Sequence, residues 1–115
     1  MKYQKIVNNK VQCEICPRKC TLSENQRGFC YVRKNINNNI ILETYGYNTG
    51  FAIDPIEKKP LYHFYPGTNV LSFGTIGCNM GCMFCQNHQT SKAKIPIEMC
   101  NKVPPEQVVA TAKKY

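Results

Sequence analysis

The run Val70-Leu71-Ser72-Phe73-Gly74-Thr75-Ile76-Gly77-Cys78-Asn79-Met80-Gly81-Cys82-Met83-Phe84-Cys85 decides how this chain is read. Its first seven residues are mostly apolar and β-favouring, so they read as a buried strand, and Gly77 releases the chain into a loop. That loop carries three thiols spaced C-x-x-x-C-x-x-C, with the aromatic Phe84 just before the last. Three thiolates on so short a loop suit one corner of a [4Fe–4S] cluster, one thiolate per iron, with the fourth iron left without a protein ligand. Ferredoxin clusters use four cysteines and pass electrons; three leave a coordination position open for chemistry. A structural zinc loop that borrows its fourth ligand, and three buried cysteines that bind nothing, are the competing readings. A cofactor loop after a buried strand matches the carboxyl-terminal face of an α/β barrel. The expected fold class is therefore α/β, with residues 70–115 forming the start of a barrel: strand, cluster loop and first helix.

The chain has 115 residues, enough for one small domain or slightly more. No apolar run approaches the roughly 18 residues of a membrane span. The opening Met1-Lys2-Tyr3-Gln4-Lys5-Ile6-Val7-Asn8-Asn9-Lys10 lacks the apolar core of a signal peptide. The expected compartment is cytoplasmic, where thiols stay reduced, so eight cysteines read as metal ligands before disulfides. The formal net charge of +8 raises a nucleic-acid partner. Bound metals lower it: a cluster on three thiolates contributes about −1 and zinc on four about −2, because the ligands bind deprotonated. The basic residues also occur as scattered pairs (Arg18-Lys19, Arg33-Lys34, Lys58-Lys59, Lys113-Lys114) rather than as a stripe. Solvated surface charge is the preferred reading, and neither nucleic acid nor a membrane is an expected partner.

A second cysteine group lies in residues 1–48, read as a β-rich metal-binding segment. Cys13, Cys16, Cys20 and Cys30 are spaced C-x-x-C-x-x-x-C-x9-C, with Pro17 and Gly28 favouring tight turns. Four thiols from two short loops suit a tetrahedral site that takes zinc or iron; ordinary cysteines of a small core are the alternative. Few large apolar residues lie between them, so a metal would supply much of the local stability. Phe29–Arg33 and Ile40–Tyr45 read as the two arms of a hairpin around the asparagine-rich stretch at 35–39.

Residues 49–69 read as a connector rich in glycine and proline, with Tyr62, Phe64 and Tyr65 covering apolar surface. Glu57, Lys58 and His63 are minor candidates for facing the site, since loops on a scaffold often carry function. After the cluster loop, Gln86-Asn87-His88-Gln89 is polar, and Phe84 and Asn87 are candidates for packing against or hydrogen bonding to the cofactor. Cys100 is isolated. Pro104-Pro105-Glu106 followed by a Val/Ala run opens like a helix.

Three stretches together carry a resemblance: Cys13-x-x-Cys16-Pro17-Arg18-x-Cys20 with Arg27-Gly28-Phe29-Cys30; Asp54-Pro55-Ile56-Glu57-Lys58-Lys59-Pro60-Leu61-Tyr62-His63-Phe64; and Leu71-Ser72-x-Gly74-Thr75-x-Gly77-Cys78-Asn79 running into Cys85-Gln86-Asn87. From about Cys13 onward the chain resembles the radical S-adenosylmethionine (radical SAM) superfamily. Within it, the chain is similar to the AmmeMemoRadiSam-system enzymes, often labelled pyruvate formate-lyase activating enzymes. The resemblance implies a partial (β/α) barrel, with Cys78, Cys82 and Cys85 on a [4Fe–4S] cluster and S-adenosylmethionine chelating the open iron. It implies reductive cleavage to a 5′-deoxyadenosyl radical, an electron donor of flavodoxin or ferredoxin type, and a glycine backbone of a partner protein as hydrogen-atom source. A barrel core takes on the order of 200 residues, and the family's later glycine-rich S-adenosylmethionine-binding strand is not in this sequence. The expectation is a fragment of a longer gene, or a chain whose barrel a second chain completes.

The rival classes are an iron–sulfur or zinc module for electron transfer or structure, without catalysis, and a nucleic-acid-binding zinc module. Ligand count discriminates the first from an enzyme. Cys100 is the one thiol outside both groups, so Cys100→Ala is expected to leave a three-cysteine cluster intact. Loss of iron and sulfide from that variant after reconstitution would point instead to a four-cysteine electron-transfer cluster.

Overall fold

Two asparagine pairs shape the N-terminal half. Asn8 and Asn9 have φ of 48° and 57°, and Asn37 and Asn38 have 50° and 58°. Two left-handed residues in succession make the hairpin turn whose twist matches the flanking strands, and asparagine tolerates that backbone better than other residues with a side chain. The structure is a computed structural model that describes residues 3–94 and 97–115; Met1 and Lys2, which open the stretch compared with a signal peptide, lie outside the described residues, as do Ile95 and Pro96. The first turn joins β1 (Gln4–Val7) to β2 (Lys10–Cys13), in register Val7 to Lys10 and Gln4 to Cys13. β3 (Thr21–Leu22) adds to the other edge of β2, all antiparallel. The second turn joins β4 (Arg33–Ile36) to β5 (Asn39–Leu42). Gln4 ties the two units: its Nε2 donates to the Asn38 carbonyl at 2.9 Å, and its Oε1 accepts from the Ile40 amide at 2.7 Å.

The asparagine stretch is not all turn. Asn35 lies within β4 and is 1 % exposed; its Nδ2 donates to the Leu22 carbonyl at 3.1 Å. Val11, Cys13, Leu22 and Ile40 form the core around it, with Cys20 packed alongside.

The α/β expectation fails in the second half. β6 (Tyr47–Asn48) ends the segment expected to be β-rich, and β7 (Phe51–Pro55) lies where a connector was expected. A 3-10 turn at Ile56–Lys58 and a long loop lead back into β8 (Asn69–Phe73), which pairs antiparallel with β7 from Phe51–Phe73 to Pro55–Asn69. The buried strand expected at 70–76 is therefore one arm of a hairpin that ends at Phe73, and no residue of β8 is buried, because no second layer covers it fully. Beyond the cysteine loop come one turn of helix α1 (His88–Ser91), a 3-10 turn at Ile97–Met99, and β9 (Asn101–Lys102), which pairs with β6 rather than β8. Helix α2 (Pro105–Ala112) begins only after that return strand. A βα barrel unit needs its helix to carry the chain to a parallel neighbour. Here the strand pairs antiparallel, so the described residues make several small antiparallel sheets with two short helices, not the first unit of a barrel.

Asp54 fastens the β7–β8 hairpin. Its carboxylate accepts from Ser72 Oγ at 2.6 Å, and from Lys58 Nζ at 2.6 Å and Lys59 Nζ at 2.9 Å. Those donors, Lys58 first, hold its pKa well below the usual carboxylate range. Glu57 closes the loop by accepting from the Gly67 amide at 2.6 Å, which lowers its pKa as well. Tyr62, Phe64 and Tyr65 do not cover apolar surface as expected, because their rings are mostly exposed. The radius of gyration of 17.0 Å exceeds the roughly 13 Å of a compact chain of this length, and the extents of 54 × 30 × 26 Å show an elongated shape.

A folded-state pKa below the unfolded value of about 3.9 means that Asp54 contributes fully above that pH. The contribution fades as pH falls toward the folded-state pKa. The β7–β8 amides are expected to lose exchange protection below about pH 4, and Asp54→Asn to have weak protection at every pH. Asn35→Ala is expected to cost about 1–3 kcal/mol in urea denaturation, because the Leu22 carbonyl loses its buried donor.

Candidate metal centres

Two facing β-turns build the four-cysteine site. In Cys16-Pro17-Arg18-Lys19 the Lys19 amide donates to the Cys16 carbonyl at 3.2 Å, with proline in the second position that such turns favour. In Gly28-Phe29-Cys30-Tyr31 the Tyr31 amide donates to the Gly28 carbonyl at 2.9 Å. Cys13, at the end of β2, donates its amide to the Cys20 carbonyl at 2.9 Å and so closes the first loop. Cys13, Cys16, Cys20 and Cys30 line one small cavity of about 30 Å³. All eight cysteines are free thiols. Among the described residues, no three His, Cys, Asp or Glu side chains converge tightly enough to hold a single metal ion. The backbone thus brings the four thiols to one cavity without drawing them to one point. Bringing four thiolates closer requires a cation to offset their repulsion.

The three-cysteine loop leaves β8 and begins at Gly77, whose amide donates to the Thr90 carbonyl at 2.9 Å. The loop is thereby cinched at its base by α1. Cys78, Cys82 and Cys85 are all half-buried. Cys78 Sγ accepts from the Met80 amide at 3.4 Å, and Cys85 Sγ lies 3.2 Å from Ser91 Oγ. In the first contact the amide is the donor; in the second either group can donate. Three accessible thiols on one loop, two with polar contacts at sulfur, fit the donor set of a cubane cluster. A cubane takes one thiolate per iron and so holds them further apart than a single ion does. Asn87 acts through its backbone: its carbonyl accepts from the amides of Thr90 and Ser91. Met83 and Phe84 are 97 % and 88 % exposed, so the loop's aromatic is turned to solvent.

The two cysteine groups touch. Arg18 donates from Nε to the Asn79 carbonyl at 2.9 Å and from Nη2 to the Met80 carbonyl at 3.1 Å. Its guanidinium carbon lies 3.5 Å from the centroid of the Phe29 ring. Gly81 has φ of 74°, and a Cβ there would lie 2.8 Å from Phe29 Cζ. Gly77 has φ of 84°, and a Cβ there would collide with the Cys30 carbonyl oxygen and Val32 Cγ1. Both positions require glycine for backbone angle and for space.

Beside this contact opens a cavity of about 610 Å³, within the range of small-molecule sites. Cys30 and Cys78 lie on its wall, with Tyr47 and Asn48 of β6 and Val103 and Val108 near and on α2. Sequence reading missed this wall, because β6 and α2 are brought together through the β6–β9 pairing. The minor candidates of the connector go elsewhere: Glu57 and Lys58 serve the β7–β8 hairpin, and His63 is exposed. Cys100 follows the 3-10 turn at Ile97–Met99, donating its amide to the Ile97 carbonyl.

Among the described residues, no helix is long and apolar enough to cross a membrane. No family model matches the chain, and no solved structure matches it significantly. The chain is similar to the uncharacterized protein MJ0808 of Methanocaldococcus jannaschii, with 46 % identity over all 115 residues, and it spans 34 % of that relative's length.

Proposed function

We propose that this chain carries the cofactor-binding part of a radical SAM enzyme of the glycyl-radical-activating kind, in which Cys78, Cys82 and Cys85 hold a [4Fe–4S] cluster. The observation that carries the proposal is the loop of three half-buried thiols that opens at Gly77, whose first cysteine faces the 610 Å³ cavity. Cys78, Cys82 and Cys85 would hold the cluster, which when reduced would supply the one electron for reductive cleavage of S-adenosylmethionine. With thiolates on a cluster, the Met80 amide would donate to the sulfur of Cys78, and the Ser91 hydroxyl is placed to do the same for Cys85. Val103 and Val108 give the cavity an apolar wall, and Asn48 and Asn79 offer polar contacts for a ligand there. Asn79 and Met80 are held from behind by Arg18. The four-cysteine group is proposed to bind one zinc or iron ion as a structural centre. An electron donor of flavodoxin or ferredoxin type and a glycine residue of a partner protein complete the reading.

The test is anaerobic reconstitution with iron and sulfide, followed by electron paramagnetic resonance of the reduced chain. A [4Fe–4S]⁺ signal that changes when S-adenosylmethionine is added is expected. The signal should disappear in Cys82→Ala but not in Cys16→Ala. A cluster indifferent to S-adenosylmethionine fits either electron transfer or a chain that lacks its later cofactor-binding strands, and repeating the measurement on a longer chain that carries those strands separates the two; indifference there too, or absence of any cluster, overturns the proposal.

A further inference from the structure

The contact between the two cysteine groups is more specific than packing. Arg18 and Phe29 occupy interior positions of the two β-turns that carry Cys16 and Cys30. They meet each other, guanidinium over ring, at 3.5 Å. From that stack Arg18 reaches two successive carbonyls, Asn79 and Met80, between the first and second cysteines of the other group. Gly81, next in the chain, has no room for a Cβ beside the same Phe29 ring. Any ion that ties Cys16 and Cys20 to Cys30 therefore fixes both turns, and with them the stack that holds the three-cysteine loop.

We infer that the four-cysteine centre shapes the three-cysteine loop through Arg18, so that metal bound at Cys13, Cys16, Cys20 and Cys30 orders residues 78–82. Arg18 is a positioning residue: it touches loop carbonyls, not reacting atoms. The inference rests on the proposed structural centre at the four cysteines, but not on cluster chemistry at the other three. Two charge-assisted hydrogen bonds and a cation–π contact at an exposed residue are each modest. They suffice because the loop has only to be biased between ordered and open states. Coupling of this kind is reciprocal, so ordering of the loop in turn tightens metal binding at the first group.

The experiment uses the full chain with Cys78, Cys82 and Cys85 changed to serine, so that zinc can bind only at the first group. Amide hydrogen exchange of residues 78–82 is measured with and without one equivalent of Zn²⁺, together with zinc affinity. With Arg18 present, zinc is expected to slow exchange by about fivefold or more. In Arg18→Met the slowing is expected to vanish while zinc still binds. Arg18→Lys, which keeps the charge but not the planar pair of donors, is expected to fall between. Gly81→Ala, which forces Phe29 aside, is a second route to the same decoupling, and β4–β5 exchange reports whether each variant is folded. Zinc that does not bind, or that slows exchange equally with Arg18 and with methionine, overturns the inference. Because the loop thiols are absent, none of these outcomes depends on whether the loop of the unmodified chain takes a cluster.

Discussion

The organisation of this chain depends on the close approach of two backbone segments at Gly77 and Gly81. A side chain at Gly77 would occupy the space of the Cys30 carbonyl and Val32, and one at Gly81 would crowd Phe29. Both glycines have left-handed φ values as well. The requirement is thus double: a Cβ at Gly77 displaces backbone, and one at Gly81 forces the Phe29 ring aside. Arg18 then fills the remaining gap with hydrogen bonds to loop carbonyls, which orients the seated loop as well as limiting its distance.

The seat is built with little apolar material. The buried apolar residues include Val11, Leu22, Val32, Ile40, Ile56 and Ile76, and the principal cluster contains Cys13 with Cys20 against it. Two of the four candidate ligands are therefore also core residues. A domain with so small a core depends on other constraints. Those visible here are the asparagine turns, the buried Asn35 side chain, and the bidentate Arg27–Glu43 pair at 2.6 and 3.1 Å. That pair raises the Arg27 pKa, chiefly through its hydrogen bond to Glu43. A metal at the four cysteines would act on the same residues that make the core.

The β7–β8 hairpin obeys a different logic. Its order comes from polar ties, Asp54 to Ser72 and two lysines and Glu57 to Gly67, rather than from burial. Its aromatic loop residues face solvent, as do Met83 and Phe84 of the three-cysteine loop. The 610 Å³ cavity takes its wall from Phe73 at the end of this hairpin and from α2, where chain segments distant in sequence meet.

Local chemistry was legible in the sequence. The asparagine turn between β4 and β5, the tight turns at Pro17 and Gly28 and the helix start at Pro105 follow from backbone preference, which acts within a few residues, whereas the turn at Asn8 and Asn9 was not read from the sequence. The pairing of strands did not follow. The run Val70–Ile76 has the composition of a buried barrel strand, yet composition reports burial and β preference without naming a partner. The partner, Phe51–Pro55, was hidden among glycines and prolines that read as a connector, and its antiparallel register replaces the α/β barrel by a hairpin. The same holds at the site. Spacing marks Cys78, Cys82 and Cys85 as a set, but only the tertiary structure brings Arg18 and Phe29 against their loop, because the Arg18 contact spans some 60 residues of chain. Long-range contacts depend on the summed geometry of every intervening turn, and no short pattern encodes them.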